Sequence, residues 1–229
     1  MYNQFLKGIP FLKDLPDHVI GDLSAKVKIA TYKKGELIYH ETDLAKAVFF
    51  VKSGLVKIKT INHEGKEFVI SIKRAGNVFA ETSLFVDKPA TYSGTAKATE
   101  KTEVLFILSS DLEEIISMNP SLAVEIIRMM GKQLRFSTSI LRDVALLDIY
   151  SKTVKTIERL AHEFGTKTND EVKIEVPLTI QDLANIIGST RESVSRVVSK
   201  LKKQDLVTVD EKTIIINNWD DFREMFVNS

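Results

Sequence analysis

The segment 178–201 constrains the fold most, because it contains two helix starts separated by a glycine. Thr179 and Ser189 each stand three residues before an acidic residue, which is the capping-box pattern of a helix N-terminus. Gly188 lies between the two predicted helices, and a glycine permits the left-handed backbone of a tight turn. The spacing therefore predicts a helix-turn-helix.

The second predicted helix separates apolar from polar side chains. Its apolar residues recur at positions i, i+3, i+4 and i+7 and are expected to face a core: Val194, Val197, Val198 and Leu201. Its opposite side carries Arg191, Glu192, Ser195, Arg196 and Ser199. An exposed helix face is usually only solvated, but these residue types suit the edges of base pairs. Arginine matches guanine O6 and N7 with two hydrogen bonds, and glutamate accepts from cytosine N4.

Positive charge is concentrated on the same element. From Ser189 to Gln204 the chain has five basic residues and one acidic residue, whereas the whole chain has a formal net charge of +1. Contact with DNA phosphates favours such a local excess. We therefore predict that this helix enters the major groove of double-stranded DNA. The predicted DNA-binding residues are Arg191, Glu192, Ser195, Arg196, Ser189, Ser199 and Lys200.

The remaining segments predict a roll of strands followed by helices. Short β-branched and aromatic runs separated by glycine turns fill residues 27–108, which is typical of a small antiparallel roll. From Asp111, which is expected to cap a short helix, the pattern becomes helical. A polar loop is expected at 166–171 and a short strand at 172–176. A hairpin with its turn at 210–212 would form the wing of a winged helix.

A long helix is predicted to begin at Pro120 and to run for roughly 28 residues, about 40 Å at 1.5 Å per residue. Ile127, Leu134 and Leu141 recur every seven residues, and Met130 and Val144 take the intervening positions, with Ser137 as a break between them. Heptad spacing predicts a seam between two helices of a homodimer. The alternative is a single helix buried within one subunit, and we favour the dimer.

The chain is therefore expected to be an α+β protein with three parts. Residues 1–113 would form the antiparallel β-roll, residues 114–148 the dimerisation helix, and residues 149–229 the winged helix-turn-helix domain.

Composition excludes several kinds of protein. The chain has no cysteine, which rules out disulfides, Cys-ligated iron–sulfur clusters and thiol redox sensing. No signal peptide and no run of 18 apolar residues is present, so we expect a cytoplasmic protein without a membrane partner. No Gly-rich phosphate loop, nucleophile set or metal cluster supports an enzyme.

The sequence resembles the CRP/FNR family of bacterial transcription regulators over nearly its whole length. The motifs that carry the resemblance are the stretches 178–184 and 188–196, the segment 145–148 at the end of the long helix, and Gly54 after a strand of the roll. The resemblance implies a roll of cyclic-nucleotide-binding type, a homodimer, and a palindromic DNA site with TGA-like half-sites. It also implies contact with RNA polymerase if the protein is an activator.

Two sets of DNA-reading residues of the family are present together. Arg191, Glu192 and Arg196 match the CRP-type pattern Arg-Glu-x-x-x-Arg. Glu192, Ser195 and Arg196 match the FNR-type pattern Glu-x-x-Ser-Arg.

The sensor end departs from the cyclic-AMP-binding members. The segment 79–85 keeps Glu81 of the Gly-Glu pair, but Tyr92 stands where those members have the arginine that holds the cyclic phosphate, beside a retained Ser93. No arginine lies between Arg74 and Arg128, and a buried phosphate without its guanidinium is costly. We therefore expect no tight binding of cyclic AMP and an effector, if any, of another kind. The resemblance implies an effector pocket that involves Glu81, Tyr92, Ser93, Ser137 and Thr138.

Cofactors are not expected. The N-terminal cysteine cluster of FNR-type oxygen sensors is absent. The four histidines stand alone at His18, His40, His63 and His162, which argues against haem and against a metal site. The leading hypothesis is thus a DNA-binding regulator. The alternative is a small-molecule-binding module that acts on a protein partner through its winged helix.

Overall fold

The computed structural model describes residues 2–83, 85 and 90–224. The chain divides into two compact units, Met1–Phe136 and Ser137–Ser229. This division falls inside the long helix, whereas that helix ends at Leu146 and the next helix begins at Ile149. The division into three parts stays a prediction.

The first unit is an antiparallel β-roll with helices on one side. Its strands are β1 Lys28–Tyr32, β2 Leu37–Tyr39, β3 Ala47–Ser53, β4 Leu55–Ile61, β5 Glu67–Arg74, β6 Val78–Phe79, β7 Thr95–Ala98 and β8 Thr102–Leu108. They form two four-stranded sheets in the orders β1-β8-β3-β6 and β2-β7-β4-β5. Its helices are α1 Asn3–Lys7, α2 Asp17–Lys26, α3 Ser109–Met118 and the first part of α4 Pro120–Leu146, with a short 3₁₀ turn at Glu81–Ser83.

The first five residues of strand β3 are apolar because both of its faces are covered there. Side chains alternate between the faces of a strand. Phe49 and Val51 point into the roll, and Val48 and Phe50 pack against the helices. Since both faces of this sheet are covered, the strand has no polar side, as the uninterrupted run 47–51 indicates.

Helix α4 begins at Pro120 and has 27 residues, close to the predicted start and length. Leu122 and Ile126 are buried in the core of the first unit. Helix α3 begins at Ser109 rather than at Asp111, so the prediction that Asp111 caps it is wrong. The Asp111 carboxylate instead accepts a hydrogen bond from Lys26 Nζ of α2 at 3.2 Å.

The second unit is a winged helix. Its elements are α5 Ile149–Phe164, β9 Gly165–Thr168, β10 Glu171–Ile174, α6 Ile180–Ile187, α7 Arg191–Lys203, β11 Val207–Asp210, β12 Thr213–Ile216 and α8 Trp219–Glu224. One antiparallel sheet has the order β11-β12-β10-β9.

The predicted polar loop at 166–171 is wrong, because residues 165–168 pair with β10 as strand β9. None of the four side chains of β9 is buried, so the strand has no apolar alternation that a sequence pattern could show. The predicted strand and the predicted wing hairpin are present as β10 and as β11 with β12.

Candidate DNA interface

Helix α6 starts at the predicted capping box. The Thr179 hydroxyl accepts a hydrogen bond from the Asp182 backbone N–H at 3.1 Å, and the Asp182 carboxylate accepts one from the Thr179 N–H at 3.0 Å. The helix ends at Gly188, which adopts the left-handed conformation with φ 71° and ψ 32°. Both predictions are confirmed, and together they fix where the chain turns toward α7.

Helix α7 is capped by Thr190 and not by Ser189. The Thr190 hydroxyl accepts from the Ser193 backbone N–H at 3.3 Å. Ser189 N–H instead donates to the Ala184 carbonyl and so closes the end of α6. The prediction of Ser189 as the cap is wrong because the turn needs one more residue to close α6 before α7 begins.

The four apolar residues of α7 are buried as predicted: Val194, Val197, Val198 and Leu201. This burial fixes the rotation of the helix about its axis. The opposite side, which we call the recognition face, consists of Arg191, Glu192, Ser195 and Arg196 and is exposed.

The charged groups of the recognition face are not used inside the protein. Among the described residues, Arg191, Glu192 and Arg196 take part in no ion pair or side-chain hydrogen bond. Two guanidinium forks and one carboxylate acceptor are therefore available to an external partner with donors and acceptors of its own. This arrangement suits the major groove, where base edges offer both.

The other predicted contact residues differ in their surroundings. Ser199 is exposed, and Ser189 is half-buried. Lys200 Nζ lies 4.5 Å from the centroid of the Tyr150 ring, a cation–π contact that holds this ammonium against the start of α5. Lys202 and Lys203 are exposed in the last turn of α7.

Two supports of the motif were not anticipated from the sequence. Asn185 is buried on α6, and its side-chain carbonyl accepts from Gln181 Nε2 at 2.8 Å. Leu178 N–H donates to the carbonyl of Lys212 in the wing turn at 2.7 Å, which ties the wing to the residue before α6. Asn185 interrupts an otherwise apolar face of α6, and this interruption was the only feature of the sequence that pointed to either support.

The predicted effector residues lie in unlike environments. Glu81 and Tyr92 are buried, whereas Ser93, Ser137 and Thr138 are exposed. Glu81 and Tyr92 belong to the first unit, and Ser137 and Thr138 belong to the second. Leu84, in the sensor segment 79–85, lies outside the described residues.

The interior of the roll is filled by aromatic rings around Tyr92. The Tyr92 ring stacks on that of Tyr39 with centroids 3.8 Å apart, and Phe49 stacks on Phe79 at 5.1 Å. The Tyr92 hydroxyl accepts a hydrogen bond from the Lys46 backbone N–H at 3.2 Å. Burial raises the pKa of the Tyr39 phenol well above its usual range, and the nearby Tyr92 and Glu81 add to this shift.

The predicted dimer seam is largely uncovered within one chain. Ile127, Leu134 and Leu141 are each more than 60% exposed, at 67%, 69% and 68%. Val144 is 40% exposed. Met130 differs, because it is half-buried and packs against the core of the first unit.

The described residues contain neither a candidate membrane-spanning helix nor a candidate metal site. No helix there is both long and apolar enough to cross a membrane. The same residues contain no group of three or more His, Cys, Asp or Glu side chains that could hold a metal ion.

Comparison with known proteins identifies both halves of the chain. Residues 29–119 match the model of the cyclic nucleotide-binding domain, and residues 152–225 match that of the Crp-like helix-turn-helix domain. The anaerobic regulatory protein of Bacillus subtilis is 30% identical over 198 residues, which cover 86% of this chain and 82% of that protein. The chain belongs to the CRP/FNR family of bacterial transcription regulators.

A second curated relative is also a transcription regulator, and a solved structure has the same fold. The cAMP-activated global transcriptional regulator CRP of Salmonella typhimurium is 24% identical over 82% of this chain and 89% of its own. The solved structure of the c-di-GMP responsive global regulator CLP of Xanthomonas campestris superposes with a TM-score of 0.75 at 21% identity, over 89% of this chain and 100% of that one. The relatives are transcription regulators and not enzymes, so this CRP/FNR chain is a transcription regulator with a DNA-binding helix-turn-helix.

Proposed function

We propose that the protein is a homodimer that binds a palindromic DNA site with TGA-like half-sites. The recognition face of α7 would contact base edges in each half-site, since half-site symmetry mirrors the symmetry of the dimer. The observation that carries this proposal is the exposure of Arg191, Glu192 and Arg196 on one side of a helix whose other side is buried. If the site lies next to a promoter in activating geometry, RNA polymerase would be the protein partner.

Arg196→Ala tests the base contacts. Each bidentate arginine contact is worth about 1–3 kcal/mol of discrimination, and a dimer loses two, so the footprint on a palindrome found by random-site selection should disappear. Light scattering should still show the same dimer. An unchanged footprint would contradict the assignment.

Lys203→Ala is the matched control on the same helix. It also removes one positive charge, but from the exposed C-terminal turn rather than from the recognition face. We expect a uniform weakening across DNA sequences and a shallower dependence on salt, with the base preference retained. Failure of the selection to enrich any site would favour a module that acts on a protein partner.

We further propose that cyclic AMP is not the effector. Tyr92 stands where cyclic-AMP binders have their arginine, and its ring lies inside the roll, stacked on Tyr39. A cyclic phosphate would have to displace this ring and would find no guanidinium to pair with. Calorimetry should show no binding of cyclic AMP at micromolar concentration, and a micromolar Kd would overturn this part of the proposal.

A further inference from the structure

Lys200 lies at one edge of the outer side of helix α7. It follows Arg196 by four residues, which places the two side chains about 40° apart around the helix axis. Next to Lys200 on its other side is Val197, which is buried. Phosphate backbones border the major groove, so a helix that enters the groove turns the centre of its outer side to the base edges and its flanks to the phosphates. The place of Lys200 on the helix therefore suits a phosphate.

The Lys200 ammonium is held by an aromatic ring. Its Nζ lies 4.5 Å from the ring centroid of Tyr150, the second residue of α5. Cation–π contacts extend to about 6 Å. The ammonium forms no ion pair with a carboxylate of the described residues. The ring therefore restrains the ammonium and leaves its charge in place, whereas a carboxylate would neutralise it.

The Tyr150 ring is itself anchored. Tyr150, Val154 and Ile157 occupy positions i, i+4 and i+7 of α5, and the last two are buried. The ring is half-buried on this inner side of the helix, which packs against α7. The first turn of α5 is fixed by the Asp148 carboxylate, which accepts from the Ser151 backbone N–H at 2.7 Å. The ring is thus a fixed support for the lysine.

A restrained lysine can contact a phosphate at a lower entropic cost than a free one. A lysine side chain has many rotamers, and contact with a fixed partner removes much of this freedom. In Lys200, part of the freedom is already lost in the folded protein. Lys203 offers the comparison, because it is exposed in the last turn of α7 and contacts no aromatic ring of the described residues.

We propose that Tyr150 is a positioning residue that holds Lys200 for contact with a phosphate of the DNA backbone. The phosphate as target rests on the proposed function, whereas the contact of Lys200 with Tyr150 does not. Phosphates carry no sequence information, so the pair contributes equally to the affinity for every DNA sequence. The base preference is left to the recognition face, and a homodimer presents two such pairs.

The contact itself is tested in the full-length protein. Protons over the face of an aromatic ring are shifted upfield, so the ε-methylene signal of Lys200 should lie upfield of the other lysine signals in ¹H–¹³C spectra. Lys200→Ala should remove this signal and thereby assign it. The shift should persist when a DNA duplex of arbitrary sequence is added. A signal at the ordinary lysine position, in the free or the bound protein, would overturn the positioning role.

A double-mutant cycle tests the effect on DNA binding. Affinity for the same duplex is measured against salt in the unchanged protein, in Lys200→Ala, in Tyr150→Leu and in the double variant. Each lost phosphate contact lowers the slope of log affinity against log salt by about 0.9, so Lys200→Ala should lower it by about 1.8 in a dimer. Tyr150→Leu should weaken binding about 2- to 12-fold per subunit, the effect of ordering one long side chain. Once Lys200 is absent, it should have no further effect.

Two controls separate positioning from a general loss of structure. Tyr150→Phe keeps the ring and should bind DNA as the unchanged protein does. Combined with Lys203→Ala, Tyr150→Leu should keep its full effect, because Lys203 does not contact the ring. If Tyr150→Leu does not fold, the spectra of the unchanged protein still decide whether the ring holds the lysine on DNA.

Two results of the cycle would overturn the proposal. Equal losses from Tyr150→Leu with and without Lys200 would mean that the tyrosine only supports the fold. Tighter binding by Tyr150→Leu would mean that the ring keeps the lysine away from DNA. If the unchanged protein binds no duplex at all, the proposed function fails and the phosphate contact with it, while the upfield signal still establishes the contact of Lys200 with the ring.

Discussion

At the residue scale, two glycines adopt left-handed backbone for different reasons. Gly188, with φ +71°, has no atom within 4 Å of the position that a Cβ would take. Gly54, with φ +84°, would place a Cβ 2.6 Å from the carbonyl oxygen of Lys101 and 2.6 Å from Thr102 Oγ1. The first glycine is required by its conformation alone, and the second by its conformation and by the neighbouring strand.

Alanine at each position should separate these two costs. Gly188→Ala should lower the free energy of unfolding by about 1–2 kcal/mol, the cost of left-handed backbone. Gly54→Ala should lose about 1–3 kcal/mol more, because β8 must move. Urea unfolding checks both, with the fluorescence of Trp219 reporting on the second unit and circular dichroism on the whole chain. Equal losses would show that the contacts around Gly54 do not matter.

The same contrast shows how far single residues can be predicted from the sequence. Gly188 stands between two helix starts, so neighbouring residues indicate its role. The crowding at Gly54 comes from Thr102, 48 positions later, and sequence patterns do not report such contacts. For Tyr92, the sequence shows that an arginine is missing, but the stack on Tyr39 depends on how the roll closes.

At the element scale, the start of α7 offers a direct test of the capping assignment. Thr190 accepts the capping hydrogen bond, whereas no side-chain hydrogen bond of Ser189 is present among the described residues. Thr190→Ala should therefore cost about 1 kcal/mol of stability, and Ser189→Ala should be nearly neutral. Thermal unfolding followed by Trp219 fluorescence measures both. A larger loss in Ser189→Ala would restore the capping box expected from the sequence.

Helix α5 has a cap whose strength depends on pH. The Asp148 carboxylate accepts from the Ser151 backbone N–H at 2.7 Å, and this hydrogen bond lowers the pKa of Asp148. Because the folded pKa lies below the unfolded one, the contribution is fully present above the unfolded pKa of about 3.9 and is lost as pH falls through the folded value. Asparagine also caps helices but does not titrate in this range. Stability measured from pH 5 to pH 2 should therefore fall less steeply in Asp148→Asn, and identical slopes would contradict this assignment.

Elements with an apolar pattern of their own could be predicted from the sequence, whereas an element or boundary that a neighbouring strand determines could not. The helix-turn-helix, the wing and α4 have apolar side chains at the period of their own secondary structure, and β3 begins with an uninterrupted apolar run. Strand β9 has no buried side chain and exists because β10 offers it a hydrogen-bonding edge. The start of α3 is set by strand β8, which continues directly into the helix, so a nearby capping pattern predicted the wrong residue.

At the scale of the whole molecule, helix α4 leaves a row of large apolar side chains uncovered. Ile127, Leu134 and Leu141 repeat every seven residues along 27 residues of helix, and each is about two-thirds exposed. Contiguous exposed apolar surface is uncommon on a monomer and marks an interaction site. Because the row has the heptad spacing of a coiled coil, a second copy of the same helix is the partner that fits it.

Leu134→Glu should convert the proposed dimer to a monomer. In a symmetric pair of helices the change places two carboxylates at the seam, where they repel each other and lose hydration. Light scattering at micromolar concentration measures the mass directly. Affinity for the palindrome should fall by about 10²–10⁴, because each monomer then binds one half-site without the gain from linkage. Arg135→Glu, which introduces the same side chain about 100° around the helix, should keep the dimer mass. If Leu134→Glu also keeps it, the exposed row is not the seam, and the two recognition faces must be brought together by another surface.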